Sequence, residues 1–320
     1  MTVAPWIWIA FLAFILAMLL ADLFIFHRQA HKVTMREAAW TSAFWIFLGL
    51  VFGVIVWWWQ GPHSAGEYLA GYLIEKSLSV DNIFVFALIF SYFSVPAEFQ
   101  HRLLFWGVLG ALVFRAVFIA GGAALLENFH WMIYVFGGFL VFTGIRMAWH
   151  KNEEIHPERN PVLSFVRRVL PMTSEYEGQK FFVRKAGKLM ATPLLAVLVV
   201  VETTDVIFAV DSIPAIFAVT RDTFLVYTSN AFAILGLRAL YFLLAGMIER
   251  FTYLKIGLSA ILVYVGIKML VSEFYKINPW VSLSVIVAVL TVSVIASLRS
   301  EGREIPDEKA EELQAGARKP

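Results

Sequence analysis

Two stretches of the chain place acidic side chains in nearly the same pattern. Glu75-Lys-Ser-Leu-Ser-Val-Asp81-Asn82-Ile83 and Asp205-Val-Ile-Phe-Ala-Val-Asp211-Ser212-Ile213 each contain an acid, five residues, and then Val-Asp-Asn/Ser-Ile. Both stretches lie within long apolar segments, where a carboxylate is costly unless it faces a partner, water or an ion. Repeating the pair of acids in two matching segments predicts a cation site where two halves of the protein meet.

The candidate ligands of this site are all oxygen donors. Glu202 lies three residues before Asp205 and shares a helix face with it. The full set of candidate metal ligands is Glu75, Asp81, Asn82, Glu202, Asp205, Asp211 and Ser212. The two motif segments contain no histidine and the chain contains no cysteine. An oxygen shell of this kind suits Mg, Ca and Mn better than Zn or Cu.

Helical spacing divides these residues between two directions. Two residues of each motif are seven positions apart and share a face, Glu75 with Asn82 and Asp205 with Ser212. Asp81 and Asp211 point about 100° away from those faces in an unbroken helix. A compact site using all of them therefore needs local unwinding or a broad cavity. Pro214 predicts such unwinding beside Asp211, because it has no N–H and its ring clashes with the Val210 carbonyl.

Internal salt bridging is the alternative to metal binding. Five carboxylates would not all stay ionised in a dry site, so either a divalent cation offsets them or some are protonated. Lys76 adjoins the first motif, and Arg115 and Arg238 lie in the segments that follow the two motifs. We expect the arginines to hold acids in place, since they would repel a cation. Asn230 is either a ligand or, as we favour, a partner in a helix–helix hydrogen bond, and Asp22 is expected to pair near the end of the first segment.

The composition of the chain is that of a membrane protein. Its 320 residues are 60% hydrophobic and 16% charged, with a mean hydropathy of +0.73, which is more apolar than a soluble domain. Segments of about 20 apolar residues can cross a bilayer as helices. We place nine such spans, at 5–26, 38–59, 68–93, 102–123, 129–148, 191–219, 223–246, 253–272 and 279–298. Because helices keep their backbone groups bonded in lipid, the predicted fold class is an all-α polytopic membrane bundle.

Basic residues predict the orientation of the spans. Lys and Arg concentrate in the odd-numbered connections and after the last span, which is typical of cytoplasmic segments. The N-terminus is therefore predicted outside and the C-terminus in the cytoplasm. The connection 149–190 is predicted to form a cytoplasmic cap or a regulatory element, with an interfacial helix near Phe165 and a hairpin turning at Ala186-Gly187. The charged tail, 299–320, is predicted to be disordered.

The spans contain an internal repeat beyond the acidic motifs. The segment Gly107–Arg115 matches Asn230–Arg238 in the position of its arginine, and Val-Phe-Thr-Gly144-Ile-Arg-Met matches Val-Tyr-Val-Gly266-Ile-Lys-Met. Repeat one thus covers about 68–148 and repeat two about 191–272, within a transporter domain of 1–298. Units of three spans insert in opposite orientations, which predicts an inverted repeat with its site at the repeat interface. Chance similarity between apolar segments is the alternative.

The motifs resemble the signature of the TerC family of integral membrane proteins, and its Alx branch in particular. The resemblance rests on the segment from Glu75 to Asn82 and on Glu202-Thr-Thr-Asp-Val-Ile-Phe-Ala-Val-Asp-Ser-Ile-Pro214, and it extends over about 5–298. It implies manganese export across the bacterial inner membrane, with the motif residues as the metal site. The family name refers to tellurium resistance, and the Alx branch is linked to alkaline pH and to a proposed redox role. Without cysteine, thiol redox chemistry has no side chain to use.

The sequence therefore predicts a secondary transporter rather than an enzyme. Its substrate is Mn²⁺, its lipid surroundings are its partner, and protons are the candidate counter-ion. No tightly bound cofactor and no nucleic acid are expected, and the oligomeric state stays open. The sequence has no Gly-x-x-x-x-Gly-Lys-Ser/Thr loop for a nucleotide, and we find no nucleophile–base pair. The alternative is a membrane scaffold or a stress or redox modulator without transport.

Overall fold

The structure is a computed structural model that describes most of the chain. The described residues are 3–21, 34–129, 131–149, 161–173, 175–185, 188–244, 253–272, 274–275 and 277–316. Within these ranges, side chains are described for all residues except Asp81, Phe84, Arg167, Leu254, Lys255, Leu298 and 300–316. The prediction for Asp22 and the predicted hairpin turn at Ala186-Gly187 lie outside the described residues.

The described residues form helices and one short hairpin. The helices are α1 (Pro5–Ala21), α2 (Met35–Gln60), α3 (Pro62–Tyr92), α4 (Ala97–Asn128), α5 (Met132–Trp149), α6 (Pro161–Val169), α7 (Pro193–Phe217), α8 (Thr223–Leu235), α9 (Leu237–Leu244), α10 (Leu254–Val271) and α11 (Pro279–Gly316). The strands are β1 (Phe182–Lys185) and β2 (Lys188–Ala191), which pair antiparallel with Phe182 opposite Ala191. The predicted all-α bundle and the predicted hairpin are both present.

Six stretches are long and apolar enough to cross a membrane. They are Met35–Gln60, Ala97–Asn128, Met132–Trp149, Pro193–Phe217, Thr223–Leu244 and Pro279–Ser297, and Pro5–Ala21 and Ile256–Val271 are shorter apolar helices. The remaining predicted span, 68–93, corresponds to α3, whose 31 residues include Glu67, Glu75, Lys76 and Asp81. These ionisable residues lower the hydropathy of α3. The polytopic architecture is thus confirmed, while the count of nine spans stays a prediction.

The helices of the two predicted repeats pack against one another in matching pairs. Helix α3 packs on α8, α4 packs on α7, and α5 packs on α10. In the predicted repeat, α3 corresponds to α7, α4 to α8–α9, and α5 to α10. Exchanging the two repeats therefore turns the α3–α8 pair into the α7–α4 pair, and it leaves the α5–α10 pair unchanged. Helix α8 lies at the centre of this arrangement, because all of its residues from Phe224 to Leu235 are buried.

Glycines allow α5 and α10 to approach closely. A Cβ added at Gly137 would lie 3.1 Å from the Gly266 carbonyl oxygen, and one added at Gly266 would lie 2.8 Å from the Gly137 carbonyl oxygen. Nearby, the Ser259 hydroxyl donates a hydrogen bond of 2.5 Å to the Gly144 carbonyl. In the repeat alignment Gly144 matches Gly266, so by the same offset Gly137 matches Ser259. Exchanging the two repeats therefore turns the contact between Gly137 and Gly266 into the contact between Ser259 and Gly144. This correspondence supports the predicted repeat.

The predicted unwinding at Pro214 is wrong. Helix α7 continues through Pro214 and ends at Phe217, so the proline lies within its last turn. Few backbone hydrogen bonds of the helix follow this position, so the proline disturbs little of it. The discontinuity occurs instead in the next span, at Gly236 between α8 and α9. There the Lys76 ammonium donates a hydrogen bond of 3.1 Å to the Ala233 carbonyl. A cation at the C-terminal end of α8 complements the helix dipole and occupies a terminal carbonyl.

The connection between the repeats is folded onto the bundle. The Tyr176 hydroxyl donates to the Phe93 carbonyl at 2.7 Å, and the Arg102 guanidinium lies 5.4 Å from the Phe181 ring centroid. Lys185, the last residue of β1, forms an ion pair with Glu177, and the hydrogen bond between them lowers the pKa of the Glu177 carboxyl. At the far end of the chain, helix α11 runs from Pro279 to Gly316, and its last part is rich in Ala, Glu, Lys and Gln, which favour helix.

Candidate functional site

The Arg115 side chain joins the two acidic motifs inside the bundle. Arg115 lies on α4 and is fully buried. Its Nε donates to Asp205 Oδ2 at 3.2 Å and its Nη2 donates to Asp205 Oδ1 at 3.0 Å. Its Nη1 donates to Glu75 Oε1. The guanidinium therefore connects α3 of the first predicted repeat with α7 of the second.

Two neutral side chains complete this network. Arg115 Nη1 lies 3.2 Å from Ser212 Oγ and 3.5 Å from Asn230 Oδ1. The Asn230 amide also donates to Glu75 Oε2 at 3.1 Å. Each oxygen of Glu75 thus accepts a hydrogen bond, one from the guanidinium and one from the amide. The helix–helix bond favoured for Asn230 is confirmed, as is the expectation that Arg115 holds acids in place.

The energetics of this network are those of a buried ion pair. Two carboxylates and one guanidinium leave one net negative charge when all three are ionised. Burying such charges is costly unless they are paired and hydrogen-bonded, and removing one partner then leaves an uncompensated charge. The two-pronged contact between Arg115 and Asp205 is among the stronger pairings, because both bonds are assisted by charge. The network therefore fixes the positions of Glu75 and Asp205 relative to each other.

Glu202 occupies a separate position against α4. A Cβ added at Gly110 would overlap the Glu202 carboxylate, so the absence of a side chain there leaves room for the acid. Glu202 Oε2 is buried, and among the described residues it has no hydrogen-bond partner. The repeat predicted from the sequence includes Gly110 but assigns it no such role. A glycine three residues after Gly107 in a membrane span was the available signal.

The other predicted ligands lie elsewhere along α3 and α7. Asn82 is buried two turns after Glu75, and Asp211 is half-buried beside the inward-facing Ser212. The Asp81 side chain lies outside those described. Among the described side chains, no three acidic or histidine groups converge to hold a metal ion. Because α7 is unbroken, Asp211 keeps the different helix direction that its spacing from Asp205 predicts.

A small cavity adjoins Asp205. Its lining is apolar apart from this carboxylate and consists of Phe86, Leu104, Gly107, Val108, Ala111, Val201, Asp205, Ile234 and Leu237. The cavity has room for about one water molecule. It lies on the side of the bundle where α4 and α7 begin, which is the predicted cytoplasmic side. Passage of a hydrated ion to Asp205 from this side therefore requires the helices to separate.

The opposite end of the bundle is tightly packed. Gly71 leaves no spare room, since an added Cβ would lie 3.0 Å from Ser229 Oγ. Closer to that end, the Thr220 hydroxyl donates to Glu67 Oε2 at 2.8 Å, and His63 Nε2 lies 3.4 Å from Glu67 Oε1. Glu67 is not among the residues predicted from the sequence, because it precedes the predicted span 68–93. The bond between Glu67 and Thr220 connects α3 to the segment between α7 and α8.

Fold and site together define a polytopic α-helical membrane protein with a buried network of Arg115, Glu75 and Asp205 at its centre. Large apolar side chains on its outer surface, among them Phe47, Trp58 and Phe142, are suited to contact with lipid. The chain belongs to the TerC family of integral membrane proteins. The model described as "Integral membrane protein TerC family" matches residues 60–304.

Bacterial relatives match nearly the whole chain. An uncharacterized membrane protein of Myxococcus xanthus is 54% identical over 295 residues, which cover 92% of each chain. Proteins described as "Putative membrane-bound redox modulator Alx" match over 300 residues and 91% of this chain. The Salmonella typhi protein is 51% identical with 93% of its length covered, and that of Escherichia coli strain K12 is 50% identical with 94% covered. The resemblance to the family and its Alx branch is confirmed. No solved structure matches the chain.

Proposed function

We propose that this chain is a secondary transporter that exports Mn²⁺ from the cytoplasm by alternating access between two inverted repeats. The observation that supports this most is the buried contact of one guanidinium with Glu75 and Asp205. These acids come from the matching positions of the two motifs and meet inside the bundle. A site shared by both repeats is where relative movement of the repeats changes access.

Arg115 has a defined part in this mechanism. A divalent ion about 4 Å from the guanidinium would be repelled by about 8 kcal/mol at an effective dielectric of 20. Metal and guanidinium therefore do not share Glu75 and Asp205. We propose that they alternate: Arg115 neutralises the two acids when the site is empty, and it withdraws from at least one of them as Mn²⁺ arrives.

The remaining motif acids extend the site along the transport path. Because α3 and α7 run in opposite directions in the proposed topology, Asp81 lies towards the cytoplasm from Glu75, and Asp211 lies towards the outside from Asp205. Glu202 lies about one turn from Asp205, on its cytoplasmic side. We propose that Mn²⁺ enters past Glu202 and Asp81, binds with Asn82 and Ser212 as neutral ligands, and leaves past Asp211.

Proton return is the proposed driving force. The same carboxylates can bind either Mn²⁺ or protons, and the sequence has no nucleotide-binding loop. In this scheme, the protein lies in the bacterial inner membrane with its N-terminus outside. Labelling of Glu98→Cys by an impermeant thiol reagent tests the orientation, because the native chain has no cysteine. Reaction on intact cells would contradict it.

A redox role is the second candidate, because the Alx relatives carry that description. Cysteine is absent from this chain, so a thiol–disulfide mechanism would need a partner protein. A scaffold of this kind would move no metal when it is alone in a lipid vesicle. Flux therefore separates the two candidates.

The test is manganese flux into vesicles that contain only the purified protein. We expect Mn²⁺ uptake by the wild type, and loss of uptake in Asp205→Asn with the protein still inserted. Glu98→Gln is the control, since Glu98 is exposed. No flux in the wild type would exclude transport by the protein alone. Undiminished flux in Asp205→Asn would instead assign the motif acid a structural role.

A further inference from the structure

Helix α6 carries more apolar surface than the protein itself covers. One part of its apolar arc faces the bundle, where the Leu163 side chain is only 1% exposed. The adjoining part is open, with Phe165 65%, Val169 59% and Val162 43% exposed. These three residues are spaced i, i+3 and i+7, so they form one stripe along the helix. Among the described residues, no element covers Phe165 or Val169.

The polar side of α6 is basic. Arg168 is exposed and Ser164 lies beside it on the helix surface, roughly 40° away. The neighbouring hairpin adds further exposed cations at Arg184 and Lys188. A short helix with an apolar stripe and basic residues opposite is the pattern of a segment that lies in a membrane surface.

The position of α6 places this stripe at the level of the membrane surface. Leu163 belongs to the same buried apolar cluster as Leu194 and Val197 in the first two turns of α7. Helix α6 also packs directly against α7. Because α7 is one of the helices suited to crossing the bilayer, a helix attached to its first turns lies where the hydrocarbon meets the headgroups. Trp149, at the end of α5, is 81% exposed and is typical of that interface.

We infer that α6 binds the surface of the bilayer, with its Phe165 stripe among the lipid chains and Arg168 against anionic headgroups. The lipid fits both features, since acyl chains cover the apolar stripe and phosphates pair with the guanidinium. The helix follows α5 and precedes the hairpin and α7. It thereby anchors the connection between the two repeats to the membrane. The inference does not depend on transport.

Site-directed spin labelling of the full-length protein tests this inference. Single cysteines at Phe165, Val169 and Ser164 carry a nitroxide in vesicles of neutral lipid, with or without phosphatidylglycerol. We expect labels at 165 and 169 to be several-fold more accessible to oxygen than to a water-soluble nickel complex. The label at 164 should show the opposite preference. Leu163→Cys is the buried reference and should be protected from both reagents.

Anionic lipid tests the role of Arg168 separately. Phosphatidylglycerol should draw the 165 label deeper, and Arg168→Gln should remove that lipid-dependent shift. Equal access of nickel to 164, 165 and 169 would show that water covers the stripe and would overturn the inference. Protection of 165 and 169 from both reagents would overturn it as well, because protein, such as a second copy of the chain, would then cover the stripe. A depth unaffected by anionic lipid would refute the headgroup contact.

Discussion

Arg115 and Asp205 face each other through two hydrogen bonds, from Nε to Oδ2 at 3.2 Å and from Nη2 to Oδ1 at 3.0 Å. The residues lie on α4 and α7, which belong to different predicted repeats. A planar guanidinium can make both bonds at once, and a lysine ammonium cannot reproduce this geometry. The same guanidinium also reaches Glu75. One side chain on α4 therefore connects α3 and α7 inside the bundle.

Removing Arg115 should destabilise the protein strongly. We expect Arg115→Met to lower the free energy of unfolding by roughly 3–5 kcal/mol, because two buried carboxylates lose their cation. Arg115→Lys should retain only part of the free energy of unfolding that Arg115→Met loses. Thermal unfolding in detergent, followed by tryptophan fluorescence, measures the effect. Arg221→Met is the control, since Arg221 is exposed. The triple variant Arg115→Met/Glu75→Gln/Asp205→Asn should regain most of the stability, and equal stability of Arg115→Met and the control would contradict the argument.

Gly110→Ala should displace Glu202 without unfolding the protein. The added methyl would overlap the carboxylate, which lies at the end of a flexible side chain and can turn away. We expect nearly unchanged thermal stability and reduced manganese flux in vesicles. Gly121→Ala on the same helix is the matched control, because an added Cβ there has no neighbour within 4 Å among the described atoms. Equal flux in the two variants would show that the position of Glu202 does not matter for transport.

Gly266→Ala should weaken the crossing of α5 and α10. Its methyl would lie 2.8 Å from the Gly137 carbonyl oxygen and 2.9 Å from the Val141 backbone nitrogen. Backbone atoms cannot move aside like a side-chain end, so we expect a loss of about 1–3 kcal/mol in the free energy of unfolding. Gly138→Ala has open space and should be neutral or slightly stabilising, since Ala favours helix. Chemical unfolding of the two variants compares them, and a stable Gly266→Ala would mean that the helices can separate at little cost.

Sequence patterns predicted the helices, which depend on local composition, and the pairing of the two motifs, which repeat the same pattern of acids. Apolar length indicates a span, and repeated acids in two spans indicate a shared buried site. The position of the helix break could not be predicted in this way. Pro214 is the stronger local breaker, but it lies near the end of α7. At the break near Gly236, Lys76 bonds to Ala233, which lies 157 positions away in the sequence. A contact between residues so far apart in the sequence leaves no local pattern that predicts it.

The choice of side chain in the ion network was likewise only partly predictable. The sequence predicts equal roles for Arg115 and Arg238, because they occupy equivalent positions in the repeat. In the structure, Arg115 binds both Glu75 and Asp205, and Arg238 is buried on α9, after the break at Gly236. The repeat thus predicts which residues correspond, but the acids that Arg115 binds depend on how α4 packs against α3 and α7, which the repeat does not encode.

The proposed oxygen-only donor set predicts a preference among metal ions. Mn²⁺ accepts six oxygen ligands, whereas Zn²⁺ favours four-coordinate sites with nitrogen or sulfur. We therefore expect faster transport of Mn²⁺ than of Zn²⁺ in protein-containing vesicles. Asp81→Asn and Asp211→Asn keep the side-chain size, remove a charge, and should each abolish manganese flux while leaving insertion intact. Faster transport of Zn²⁺ would contradict the donor set, and normal flux in both variants would remove the motif aspartates from the path.

Competition between Mn²⁺ and protons gives the pH dependence. If protons return through the same carboxylates, a metal ion binds only after they leave. The apparent affinity for Mn²⁺ should therefore rise with pH until the acids are deprotonated, and fall as pH decreases. Export should also acidify the cytoplasmic side, because each metal ion that leaves is exchanged for incoming protons. Inside-out vesicles loaded with a pH dye would report alkalinisation of their interior during manganese uptake, since protons leave as the metal enters. Manganese uptake with no proton movement would exclude proton coupling and leave the metal path intact.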